Sequence, residues 1–536
     1  MAEDGRSNLF YGVNDVPSKA SLFLLALQQL MVCISSAAAG PLMLADKLCG
    51  KSIPFVRVRI VGTMLFVAGI STILQTTLGI RLPILESGSF GFLPPITAFA
   101  QSMGTCECFE NETQPLEWVE RMQMVQGSLV FASLVQIVLG LTGLVGVLSR
   151  FIGPLSIVPL MLLLQVSMIR NCLHYVTQHW ISFVVIILLL IIALYLAEIN
   201  VPLIGFNRTG WKVYWQPIFA LFPYLIAVGF TWSLAAVLTA TGTLSTNSTT
   251  SENYRAGIIG EAEWFRLPYP GQWGAPTFHT GLFFGFLASS LASTFESIGD
   301  YHACARFSHE IPPPPHALNR GILVEGLCSF MNGFFGGGLG LTTYSENVGV
   351  IGITKVASRR VLQVCGVVMT FLGVFTKFGA IIGTLPDPLI GGILAVSLAM
   401  IGGVGLSSVR LLDLNLTRNI AILGISISLG IMIPMYVREH GFETGNRNFD
   451  EILNMLLGID MVVGGLVGFF LDNTVPGATK EQRGLKKDTS LPASQVYRLP
   501  DWVERRLKKT AFTRYVPFLP EFALNTNAVQ DLNIPI

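Results

Sequence analysis

The feature that most constrains this chain is the recurrence of apolar stretches roughly 20 residues long, separated by short polar turns. A helix of that length matches the hydrocarbon thickness of a bilayer, and inside lipid its backbone polar groups are satisfied internally. About fourteen stretches meet this criterion, several of them broken or short. They cover residues 20–45, 55–79, 82–101, 125–148, 152–171, 179–198, 216–240, 279–305, 319–336, 341–357, 361–383, 388–408, 418–436 and 452–472. Charged residues make up 12% of the chain, against about 25% in a soluble domain. Lipid rather than water therefore covers most of the outside, and the expected fold is an all-α polytopic membrane protein. A net charge of +1 gives no footing for nucleic acid.

An even number of crossings puts both termini on one side. Arg150, Arg208, Lys212, Arg306, Arg320, Lys355, Arg359, Arg360, Arg410 and Arg418 then choose the cytoplasmic side. Lys47, Lys51, Arg57 and Arg59 run against that assignment, because they flank an outside loop. Residues 1–19 lack the basic start and short apolar core of a cleaved signal peptide. The sequons at Asn111 and Asn247 fall in the two longest outside loops, as glycosylation at a plasma membrane requires. Those at Asn207 and Asn415 fall inside and should stay bare. Most cysteines lie in apolar runs, but Cys106 and Cys108 share a polar loop and point to a disulfide whose partner is open, ahead of a metal site. The basic tail after Gly477 is expected to lie against the anionic leaflet or to be disordered.

Fourteen crossings divide as a 7+7 inverted repeat, the pattern in which binding sites form where helices break at corresponding positions. The third crossing begins Leu82-Pro83-Ile84-Leu85-Glu86-Ser87-Gly88-Ser89-Phe90-Gly91, and the tenth begins Gly340-Leu341-Thr342-Thr343-Tyr344-Ser345-Glu346-Asn347-Val348-Gly349. Both are rich in Gly, Ser or Thr, which make poor continuous helix. Irregular backbone at membrane depth survives only where it is buried in protein or lines a cavity. Each crossing is expected to be a half-helix entered by a short extended stretch, its N-terminus aimed at a common centre. The alternative, a pair of glycine-lined packing faces, is disfavoured by the matching positions.

The eighth crossing carries Glu296 and Asp300, four apart and so on one helix face. A carboxylate at the bilayer centre costs at least about 3 kcal/mol on insertion scales. Two on one face call for a polar cavity, a proton or a cation. Glu296 can accept two N–H hydrogen bonds from a planar heterocycle, and Asp300 can hold Na+ or a proton. Glu325, in the ninth crossing, is expected near a cytoplasmic end in a structural role, with Asn332 a weaker candidate. Of Gln28 and Gln29 in the first crossing, one bonds inward and the other serves packing. Gln28 is grouped with Asp300 for ion coupling.

These residues resemble the nucleobase–ascorbate transporter family, in its animal form. The run Glu346-Asn347-Val348-Gly349-Val350-Ile351-Gly352-Ile353-Thr354-Lys355 is similar to the family signature. Glu296 to Arg306 looks like its eighth-crossing motif, and Pro386-Asp387-Pro388 and Asp472-Asn473-Thr474-Val475-Pro476-Gly477 are similar to later landmarks. The resemblance implies a homodimer in which a core domain moves like an elevator against a gate domain. Residues 1–19 would then be a cytoplasmic segment. The core would comprise 20–148 and 279–384 (crossings 1–4 and 8–11), and the gate 149–240 and 385–472 (crossings 5–7 and 12–14). Residues 241–278 would be an extracellular loop and 473–536 a cytoplasmic tail. By matching position, Glu296 and Glu346 would hydrogen-bond the substrate and Phe90 would stack on it. Tyr344, Ser345 and Asn347 would complete the site.

The first signature position implies the substrate. Members with Glu or Gln there resemble nucleobase carriers, whereas vertebrate-type ascorbate carriers have Pro. Glu346 therefore points to uracil, xanthine or hypoxanthine, with ascorbate as the alternative. Many members read Gln-His in the first crossing where this chain reads Gln28-Gln29, so a titrating histidine is missing here. No metalloprotease, P-loop or dinucleotide motif points to an enzyme or a bound cofactor. Polar groups gathered at one depth favour a carrier, coupled to Na+ or H+, over a channel or uncoupled facilitator.

Overall fold

The computed structural model describes residues 9–50, 53, 55–104, 114–207, 210–242, 259–485, 495–507 and 516–519. The chain opens with α1 (Lys19–Lys47), whose N-cap Ser18 side chain accepts from the Ser21 amide, and α2 (Val56–Thr77). A strand β1 (Glu86–Gly88) and a 3-10 turn (Phe90–Phe92) lead into α3 (Leu93–Ser102), followed by α4 (Gln114–Thr142). Next come α5 (Pro154–Val176), α6 (Ile181–Leu190), strands β2 (Val201–Asn207) and β3 (Gly210–Gln216), and α7 (Pro223–Ala240). The second half holds α8 (Thr280–Phe307), α9 (Pro315–Phe335), β4 (Leu341–Thr343), α10 (Ser345–Thr354) and α11 (Arg359–Val374). It closes with α12 (Asp387–Ser407), α13 (Thr417–His440) and α14 (Asp460–Thr474). Proline stands in the first turn of α5, α7, α9 and α12, where its missing N–H has no helical partner to lose. Gly336, in the left-handed region, stops α9 just before β4.

Eight helices among the described residues are long and apolar enough to cross a membrane, or nine if the bent pair Phe449–Leu457 and Asp460–Thr474 is one span. The protein is thus a helical polytopic membrane-type fold. The remaining predicted crossings correspond to shorter or more polar pieces such as α3, α6, α9 and α10. The fold is not purely helical. The extended stretches expected at the third and tenth crossings pair as β1–β4, and a β2–β3 hairpin, absent from the sequence reading, lies between α6 and α7.

Packing sorts the helices into two groups. In the first, α4 lies along α9, α2 along α11, and α1 and α8 complete the cluster. The α2–α11 contact is backbone to backbone. A Cβ at Gly69 would sit 2.5 Å from the Gly366 carbonyl, so only glycine permits the approach. In the second group α5 packs on α12, α13 and α14, with α6 and α7 beside α12.

The tail does not simply lie on the leaflet. Leu485 packs on the start of α5, in the second group, and the Arg483 guanidinium reaches Asp472 at 2.8 Å. Val496, Tyr497 and Leu499 are buried. There the Arg320 guanidinium donates to the Tyr497 carbonyl (2.8 Å) and Arg359 to that of Val496 (3.1 Å), so this stretch is anchored on the first group. Apolar side chains and two arginines in need of acceptors explain the docking.

Candidate functional site

The site grows from the two breaks. β1 and β4 run antiparallel, pairing Glu86 with Thr343, Ser87 with Thr342 and Gly88 with Leu341. The ladder continues through Ser89 N–H to Gly340 O and Tyr344 N–H to Leu85 O, both 2.9 Å. Two broken helices thereby satisfy one another's backbone where no water can. A Cβ on Gly340 would meet the Phe92 ring at 2.2 Å, so the crossing requires glycine. Beyond the ladder, the Ser89 hydroxyl accepts from Gly91 N–H (3.1 Å) and α10 starts at Ser345, so both helix starts face one place.

A small cavity lies there, lined by Gly88, Ser89, Phe90, Glu296, Thr342, Thr343, Tyr344 and Ser345 from the first group, and by Leu164 and Ile401 from the second. The structure therefore brings Phe90, Glu296, Tyr344 and Ser345 together. Glu296 is 5% exposed, a carboxylate at the wall of a nearly dry site. One turn along α8, Asp300 accepts from the Ser345 hydroxyl at 2.7 Å through Oδ2, while its buried Oδ1 has no hydrogen-bond partner. Four expected residues lie off the cavity wall. Glu346 accepts a hydrogen bond from the Tyr344 hydroxyl, and Asn347 donates to Gln29 Oε1. Gln28 is buried in α1 with both amide atoms unpaired, and Asp300 stands behind Ser345. Gln29, expected either to bond inward or to serve packing, holds the signature asparagine and fills the histidine's place with a group that cannot titrate. Asn111, Asn247, Cys106 and Cys108 lie outside the described residues.

Two features escaped the sequence reading. Glu325 is not near a helix end: it is fully buried in the interior of α9. Its Oε1 accepts from Ser293 (3.0 Å), Ser297 (3.0 Å) and Gln136 (3.2 Å), and its Oε2 from the Tyr301 hydroxyl (3.1 Å). Ser297 also meets the Thr342 hydroxyl at 2.9 Å, so this network buttresses β4 from behind the cavity. The residues Ser293, Ser297 and Tyr301 recur at four-residue spacing in α8, a signal present in the sequence. The second feature is Arg57. It runs against the charge rule because it is not a free loop cation. It is buried and paired with Asp46 (2.5 Å) and Asp387 (3.2 Å). Cys49, in the same α1–α2 loop, is disulfide-bonded.

Comparison with known proteins agrees with a transporter. The Permease family model matches residues 20–439. Solute carrier family 23 member 2 of Rattus norvegicus is 40% identical over 542 residues, covering 97% of this chain and 83% of that protein. Solute carrier family 23 member 1 of Rattus norvegicus is 37% identical (97% and 90% covered), and nucleobase-ascorbate transporter 1 of Arabidopsis thaliana 33% identical (90% and 92%). A solved structure aligns more loosely: the transmembrane domain of the cyanobacterium bicarbonate transporter BicA, at TM-score 0.43 and 13% identity over 86% of this chain and 99% of that chain.

Proposed function

The chain belongs to the Permease family, with nucleobase-ascorbate and family 23 solute carriers among its relatives, and from that premise we propose an ion-coupled nucleobase carrier. The observation that carries the substrate class is Glu296. A buried carboxylate at the cavity wall, with Phe90 on the same cavity, suits a flat ring with N–H donors. The ring stacks on Phe90, and its N–H groups donate to Glu296, a charge-assisted bond in a dry site. Ser345 and the start of α10 supply donors to ring carbonyls. Glu346, behind Tyr344, fixes the tyrosine that closes one edge. An ascorbate anion at Glu296 would need a cation between the two charges, which makes it the second reading.

Asp300 is the coupling residue. Its bond to Ser345 links the ion to the start of α10, and its free Oδ1 accepts Na+ or a proton. The first helix group is the moving core and the second the gate, in a homodimer of fourteen crossings at the plasma membrane. The Cys49 disulfide suits an oxidising exterior at the α1–α2 loop, which supports cytoplasmic termini.

The test is uptake of radiolabelled uracil and xanthine into cells expressing the chain, with ascorbate in parallel. Saturable nucleobase uptake, lost in Glu296→Gln and Glu346→Ala at unchanged surface expression, supports the reading. Strong ascorbate uptake with none of nucleobase rejects the substrate class, and large non-saturating flux rejects a carrier. Replacing external sodium, then collapsing the proton gradient, identifies the ion.

A further inference from the structure

Among the described residues, Arg57 makes an ionic link between the two helix groups. Arg57 opens the first turns of α2, in the first group. Its Nη2 and Nε reach Asp46 Oδ1 at the end of α1 (2.5 and 3.1 Å), also in the first group. Its Nη1 reaches Asp387 Oδ1 at 3.2 Å, at the start of α12 in the second group. The Tyr175 hydroxyl, from the end of α5 in the second group, donates to Asp46 Oδ2 at 2.8 Å. One guanidinium fork thus binds a carboxylate on each side of the division, and a tyrosine returns the bond. Arg57 and Asp387 are nearly dry, while Asp46 keeps 14% of its side chain exposed. The cluster sits where α1 ends and α2 begins, at the turn that carries the disulfide-bonded Cys49.

We infer that Arg57 is a positioning residue for the transport cycle: it latches the two helix groups together on the Cys49 side and must release Asp387 before the cavity opens to that side. The inference rests on the reading that the two groups move against each other. The physical case is an asymmetry. The Arg57–Asp46 bond joins α1 and α2, which pack together in one group, so relative displacement leaves it intact. The Arg57–Asp387 and Tyr175–Asp46 bonds cross the division and break together when α12 and α5 shift. Asp46 keeps Arg57 paired and aimed while Asp387 departs, so the latch can close again without rebuilding itself. Asp46, the partly exposed member, gives water a way in to the sites vacated as the groups part, which holds the cost of opening below that of a pair broken where no water can follow.

Removing the latch therefore shifts the equilibrium toward the state open on the Cys49 side. The experiment uses the full chain in membranes with one added thiol, Ile401→Cys on the cavity wall, and a membrane-impermeant maleimide applied from either face. Arg57→Gln and Asp387→Asn should each raise labelling from the Cys49 side about fivefold or more and lower it from the opposite side. The double variant should add little, because both changes open one latch. Arg57→Lys, which keeps charge but loses the fork, should fall between. Labelling unchanged in all variants, or raised equally from both faces as general loosening would do, overturns the inference. Should Arg57→Gln fold poorly, Tyr175→Phe removes only one crossing bond and must shift labelling the same way by a smaller factor. The readout needs no substrate. Shifted labelling without nucleobase uptake sinks the substrate assignment and leaves the latch. Reporter thiols that never label from either face in any variant sink the moving-group reading and the latch with it.

Discussion

The networks around Glu325 and Arg57 are both buried and built on ionisable side chains, yet they are made differently. Glu325 takes its four hydrogen bonds from hydroxyls and an amide on α4 and α8, all in its own helix group. Arg57 takes its bonds from carboxylates, one of them in the other group. The first network surrounds one acid with neutral donors at full burial, where breaking any bond leaves an orphan. The second sets opposite charges at an edge where water can replace a partner. The difference sets a stiff support behind the cavity against a seam that, on the proposed motion, is the place to part.

The sharpest way to break the comparison is Glu325→Ala. It removes the acceptor of four donors, and each one left buried and unpaired costs about 1–3 kcal/mol, Ser297 keeping Thr342 as a second partner. We expect loss of transport and a large drop in the melting temperature of the purified protein; a melt like that of the unaltered chain would show that the network does not hold the site. Asp387→Asn comes next. It should cost less stability, because Asp46 keeps Arg57 paired, but change maximal uptake rate several-fold with little change in KM. A shift confined to KM would mean Asp387 acts on binding instead. Ser297→Ala removes one donor to Glu325 and should cost roughly 1 kcal/mol, read by thermal melting, with transport reduced rather than lost. Smallest is the salt response: adding choline chloride should weaken the Arg57 cluster slightly and leave Glu325 untouched. Melting temperatures of Arg57→Gln and Ser297→Ala across a salt series check this, since only Arg57→Gln should flatten the dependence.

Much of this was legible in the chain. Apolar runs announced the helices, and the Gly, Ser and Thr clusters at 82–91 and 340–349 announced the breaks, because composition alone makes such stretches poor helix. Phe90, Glu296, Tyr344 and Ser345 were expected at one centre and line one cavity. The β1–β4 register was not legible, since nothing local says which residue of 86–88 faces which of 341–343. Glu346 was expected at the substrate but stands behind Tyr344, a side-chain choice that spacing does not fix. Glu325 was misplaced because Asn319 and Arg320 make the start of α9 read as a membrane edge, although both side chains are buried. The partner of Arg57 lies 330 positions away, beyond any local pattern.

The tail has a mechanical consequence. Leu485 is pinned on the second helix group and Val496 and Tyr497 on the first, with one short piece of chain spanning from one to the other. Ten peptide steps from Leu485 to Gln495 reach at most about 35 Å when drawn taut. If both anchors hold, that span is a leash. It caps how far the two helix groups can separate beside α14, and under the motion proposed above, shortening it by a few residues would halt transport in mid-stroke.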